Sequence, residues 1–69
     1  MLGRTLSKRI CLARVEAYLT QTGLAAKMHA KQKSISRYET GASVPSVETL
    51  VKLAKVLKKA TAYFLDELA

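Results

Sequence analysis

One cysteine, Cys11, and one histidine, His29, are all that these 69 residues offer for cross-linking. An internal disulfide and a metal site are both out of reach, so the usual staples of small domains are missing and packing has to hold the chain together. A chain this short is expected to form one small domain, with little stability to spare. The material for a core is present: hydrophobic residues make up 49% of the sequence, and only three Gly and one Pro interrupt it, unlike a disordered tail. No run of ~18 apolar residues is available for a membrane span. The opening Met1-Leu-Gly-Arg-Thr-Leu6 turns polar before a signal-peptide core develops, so a cytoplasmic protein is expected.

Apolar residues recur at three and four and never alternate at two, which is the pattern of an all-α chain. Leu6, Ile10, Ala13 and Ala17 predict a first helix over about 6–18, with Arg9 and Glu16 on its other face. Thr20 is placed to cap a second over 21–28, carrying Leu24, Ala25 and Met28; Gly23 inside it costs about 1 kcal/mol relative to Ala. A turn around His29 to Lys31 leads to a third helix over 32–39, ended by Gly41 and the Ser43-Val-Pro45 loop. Ser46 caps a fourth over 47–57, with Glu48 in its first turn and Val47, Leu50, Val51, Ala54 and Leu57 on one face. Thr61 is expected to cap a fifth over 62–68. The fold class is a compact bundle of five short helices.

Twelve Lys+Arg against five Asp+Glu give a formal charge of +7. Alone, that excess suits a nucleic acid, a membrane surface or any acidic partner. Its distribution is more informative. Lys52, Lys55, Lys58 and Lys59 alternate with apolar residues and read as the solvated face of the fourth helix. From Lys27 to Arg37, Lys27, Lys31, Lys33 and Arg37 gather around His29 with no acid among them. On a helical wheel, Ile35 and Tyr38 fall on one side of the third helix and Gln32, Lys33, Ser36 and Arg37 on the other. Gln matches the donor and acceptor of adenine, Arg and Lys match guanine, and Ser suits either. Such a stripe is either a solvated polar face or a base-reading one. Its lack of acid favours the second, because a merely soluble face mixes both signs and phosphates would repel a carboxylate. Glu39 sits beside Ile35 at the edge of the buried side and requires a partner.

The run Leu19-Thr-Gln-Thr-Gly-Leu-Ala-Ala-Lys-Met-His-Ala-Lys-Gln-Lys-Ser-Ile-Ser-Arg-Tyr-Glu-Thr-Gly41 resembles the helix-turn-helix of the Xre / Cro / phage-repressor family. Pro45-Ser-Val-Glu-Thr-Leu-Val-Lys-Leu-Ala-Lys-Val-Leu57 and Tyr63-Phe-Leu65 resemble its fourth and fifth helices, so the likeness covers essentially the whole chain. It implies a lambda-repressor-like domain whose second and third helices form the DNA-binding unit. It also implies that Gln21 grips a phosphate and braces the third helix, while Gln32, Lys33, Ser36 and Arg37 face base edges. Lys31 would reach a base or a phosphate, and Ser34, Thr40 and Ser43 lie near the backbone, as phosphate contacts or as plain polar surface. Lys27, from the basic cluster, is expected to touch phosphate without reading sequence. Arg14 and Glu39 match a pair that in relatives ties the first helix to the third.

Four departures stand out. His29 occupies a turn position where relatives place Gly, and Gly23 one where an acid or Gln is usual. Asp66 replaces a common apolar residue, and the Ala42-Ser-Val-Pro45 loop lacks cations for the minor groove. Cys11 reads as a semi-buried small residue, without a nucleophile's surroundings.

These features together imply a transcriptional regulator, most simply a repressor, that binds a palindromic double-stranded operator as a homodimer. Pairing is expected through the last helix, around Tyr63, Phe64 and Leu68, although Phe64 and Leu65 equally suit core closure. An antitoxin subunit using the same fold is the alternative, with a toxin as its protein partner. A membrane-surface helix would be helical only with lipid, whereas this chain is expected to unfold cooperatively without any. No enzyme, cofactor or metal is expected: Asp66 and Glu67 point about 100° apart, and no nucleophile triad or Gly-rich phosphate loop occurs. The length is expected to leave no room for an effector domain.

Overall fold

The computed structural model describes residues 2–65, with side chains from Thr5 onward. Five helices follow one another: α1 Leu2–Glu16, α2 Gln21–Met28, α3 Gln32–Thr40, α4 Val47–Leu57 and α5 Thr61–Leu65. No strand occurs among the described residues. Helix α1 starts earlier and stops sooner than its apolar spacing predicts, α3 runs one residue further, and 66–68 lie outside the described residues. Two helices begin where the sequence places a cap. Thr20 Oγ accepts from Gly23 N–H at 2.9 Å, and Ser46 Oγ from Thr49 N–H at 3.2 Å. Thr61, by contrast, is the first residue of α5 rather than its cap.

Leu6, Ile10 and Ala13 of α1 meet Leu24, Ala25 and Met28 of α2, Ile35 of α3, Leu50, Leu53, Ala54 and Leu57 of α4, and Phe64 of α5 in one core. Helix α3 is held against α1 and α2, and α4 packs on α1, α2 and α5. The predicted face of α4 needs correction at two residues: Val47 is 77% exposed and Val51 is only part-buried and outside the core, while Leu53, not on the predicted face, is fully buried. At about 100° per residue the buried arc centres between Leu53, Leu57, Leu50 and Ala54, which leaves Val47 at its margin on the helix's open first turn.

Phe64 is buried, so it closes the core and is not a pairing surface. Tyr63 is half-buried, meets Phe64 edge-on at 5.1 Å, and has the Arg9 guanidinium 5.1 Å and the Lys59 ammonium 4.9 Å from its ring centre. Arg9 also donates to the Tyr63 carbonyl at 2.8 Å, tying α5 to α1. Lys59 pairs with Glu16 at 3.0 Å on the open surface, where such pairs are worth little.

Helices α1, α2 and α4 end in the same way. Tyr18, His29 and Lys58 adopt left-handed backbone with φ of 60°, 56° and 57°. The following N–H in each case reaches five residues back, Leu19 to Arg14, Ala30 to Ala25 and Lys59 to Ala54, the bond that closes a Schellman turn. The Cβ of an L-residue crowds the next carbonyl in this conformation, at roughly 1 kcal/mol, and glycine escapes that crowding. Tyr18→Gly and Lys58→Gly are therefore each expected to stabilise the fold by about 0.5–1 kcal/mol. A rise in urea midpoint with unchanged slope checks this, and a fall would show that these side chains repay their strain.

Candidate DNA-binding interface

Helices α2 and α3 are joined by His29, Ala30 and Lys31. His29 turns the chain in the left-handed region, in agreement with the expectation for that position. Lys31 is the extended residue before α3, and its side chain makes no capping bond. Lys and Arg serve poorly in that place, which favours a short side-chain acceptor. Lys31→Asn is expected to raise stability by about 1 kcal/mol. The same change removes a cation from the start of α3, so DNA affinity should fall while the melting temperature rises; equal affinity would show that Lys31 touches no DNA.

Helix α3 buries Ile35 fully and sets Tyr38 against the core. Its opposite side presents Lys31, Gln32, Lys33 and Arg37 exposed and Ser36 half-exposed. Four of the five residues predicted to read bases therefore lie on the outward part of one helix, and Lys31 stands just before its first turn. Ser34 is half-buried at its flank.

Behind this face runs a relay of side chains that the sequence shows only in part. Arg14 grips Glu39 with two N–H groups, Nε to Oε2 at 2.6 Å and Nη2 to Oε1 at 3.2 Å. A third N–H, from Nη1, donates to the Leu19 carbonyl at 2.6 Å. The side chains are 15% and 6% exposed, so the pair is sheltered from water. The hydrogen bond to Glu39 raises the pKa of Arg14 beyond its ordinary value despite opposing desolvation, so this cation does not titrate. Cys11 is half-buried and its sulfur faces Arg14 Nη2 at 3.8 Å, as a weak acceptor.

From Glu39 the relay continues outward. Gln21 Nε2 donates to Glu39 Oε1 at 3.1 Å, and Gln32 Nε2 donates to Gln21 Oε1 at 2.7 Å. Chemistry fixes the direction of both amides: an ionised carboxylate only accepts, so Gln21 must turn its NH₂ inward and its carbonyl toward Gln32. Gln32 then has one N–H committed, and keeps one N–H and its carbonyl oxygen for a partner. That remaining pair is what adenine's major-groove edge requires.

The other predicted contacts are distributed unevenly. Thr40 donates its hydroxyl to the Arg37 carbonyl at 3.3 Å and accepts from Ala42 N–H at 3.4 Å, closing the end of α3. Ser43 receives Arg37 Nε–H at 3.3 Å. Lys27 stands apart from this group: it borders a shallow depression with Ala17, Leu19, Val56, Leu57 and Lys58, beside the far end of α4.

A family model described as helix-turn-helix matches residues 12–64, most of the chain and all of this arrangement. The chain belongs to the Xre/Cro-type helix-turn-helix family. This helix-turn-helix chain is accordingly a DNA-binding regulator with a lambda-repressor-like fold. The family is a DNA-binding regulatory one and is not typically enzymatic. A search of curated proteins finds no match to the chain. No helix among the described residues is long and apolar enough to cross a membrane.

Proposed function

We propose that this helix-turn-helix chain, residues 1–69 acting as one DNA-binding domain, is a sequence-specific repressor that lays α3 in the major groove of a palindromic operator. The observation that carries the reading is the polarised relay from Arg14 to Gln32, which orients a base-competent amide on an acid-free helix face. Gln32, Lys33, Ser36 and Arg37 supply discrimination, each good bidentate pair contributing about 1–3 kcal/mol. Lys31, with Gln21 at the start of α2 and Ser34 and Thr40 at the flank and end of α3, supplies contacts to phosphate, which position the domain without reading sequence.

One such domain spans few base pairs, so specificity calls for two copies on half-sites about 34 Å apart. The symmetry of a palindrome is matched by a homodimer. With Phe64 committed to the core, pairing through the C-terminal helix would rest on α5 residues outside that core. Occupying the operator blocks a promoter without any further activity, and places the protein on chromosomal DNA in the cytoplasm.

In vitro selection of bound duplexes, followed by Arg37→Ala, tests the reading. Wild type is expected to select a two-fold symmetric site, and Arg37→Ala to lose about tenfold or more of its preference at one position in each half-site. Uniform loss of affinity on all sequences, without a shift in preference, would show that α3 does not read bases.

A further inference from the structure

We propose that Ser43 is a positioning residue that aims Arg37 at guanine, acting through that side chain and not as a phosphate contact. The inference rests on α3 reading bases. Arg37 and Ser43 are joined twice: Arg37 Nε–H donates to Ser43 Oγ at 3.3 Å, and Ser43 N–H donates to the Arg37 carbonyl at 3.2 Å. Thr40 adds its hydroxyl to the same carbonyl at 3.3 Å. The chain can fold back so far because Gly41 takes φ of 84°, a left-handed turn that L side chains rarely adopt.

The chemistry of the guanidinium makes the side-chain bond, Arg37 Nε–H to Ser43 Oγ, the decisive one. Its N–H groups lie in one plane in a fixed fork. Holding Nε–H on Ser43 therefore fixes the plane, and turns the Nη1 and Nη2 edge away from the loop with its four N–H groups free. Guanine offers two acceptors side by side in the major groove, the match for such an edge. An arginine without the tether would have to surrender its rotamer freedom on binding.

Selection from random duplexes and salt titrations on the full chain test this, with wild type, Ser43→Ala, Ser43→Thr and Arg37→Ala compared. Ser43→Ala is expected to keep its salt dependence and its melting temperature, yet to lose about tenfold of guanine preference at the position Arg37→Ala also affects. Ser43→Thr, which keeps the hydroxyl, should retain that preference. In the free protein, hydrogen exchange at Arg37 Nε should quicken in Ser43→Ala and not in Ser43→Thr. Equal loss on all sequences in Ser43→Ala would make Ser43 a backbone contact and overturn the proposal, as would an unchanged guanine preference. If Arg37→Ala shifts no preference at all, the reading of α3 fails first and takes this proposal with it.

Discussion

Glu39→Ala is expected to lower the melting temperature by about 10–20 °C, from a loss of about 2–3 kcal/mol. An exposed ion pair would be worth about 0–1 kcal/mol, but the carboxylate here is almost wholly sheltered and accepts from Arg14 and Gln21. Removing it leaves a guanidinium half-enclosed without its counter-charge and an amide without its acceptor. The Leu19 carbonyl still holds Arg14 Nη1, which keeps the loss at the lower end of what breaking a buried pair costs. Glu48→Ala makes the comparison: this exposed acid lies in the first turn of α4, where a favourable interaction with the helix dipole is worth about 0.3–1 kcal/mol. Equal melting temperatures for the two variants would sink the ion-pair argument. The double variant Arg14→Met with Glu39→Leu sharpens it further. Apolar replacement of both partners should recover stability, because no charge is stranded. Preference at the Gln32 position should still relax, because the relay has lost the group that orients it.

Ile35→Ala is the second large effect, at about 3–4 kcal/mol. Among the described residues of α3, Ile35 alone is fully buried, so one side chain carries most of that helix's apolar contact with the core, with Tyr38 at the margin and the Glu39–Arg14 pair as its polar tie. Small domains hold the lower part of the usual ~5–15 kcal/mol, so this substitution consumes much of it. Loss should be local before it is global, with amides of α3 losing hydrogen-exchange protection ahead of those of α4. Leu53→Ala removes a comparable volume from the middle of α4 and should weaken all helices together. If Ile35→Ala stays within about 0.5 kcal/mol of wild type, α3 is held by its polar ties and not by this apolar contact.

Features that depend on near neighbours along the chain are legible in the sequence. Thr20 and Ser46 sit immediately before apolar-periodic runs, and the structure uses both as caps. The need of Glu39 for a partner follows from its place beside Ile35, and the resemblance names Arg14. The end of α1 at Glu16 escapes notice because the expected marker, glycine, is missing at Tyr18, whereas α4 ends at Leu57 as its spacing predicts, although Lys58 also stands where glycine is usual. A Schellman turn is made by backbone bonds, which any residue can complete if the strain is carried elsewhere. Val47 departs from its expected face because a wheel weighs all turns equally, while the first turn of α4 lies at the open edge of the core. The bonds from Gln21 to Gln32 and from Arg37 to Ser43 depend on how a turn and a loop return toward α3, which periodicity does not encode.

The relay divides the recognition surface into positions of two kinds. On the proposed reading, Lys33 and Ser36, which make none of the relay's bonds, can be exchanged one at a time, and each exchange should change what α3 prefers without disturbing what lies beneath it. Gln32 is coupled to Gln21, since a replacement that cannot donate leaves the Gln21 carbonyl oxygen to water and the amide less firmly oriented. A descendant of this chain that acquires a new operator should therefore drift through single steps at the first two positions and through paired steps at the third. Its record of past operators would be kept in the covariation of a surface glutamine with one at the start of the preceding helix.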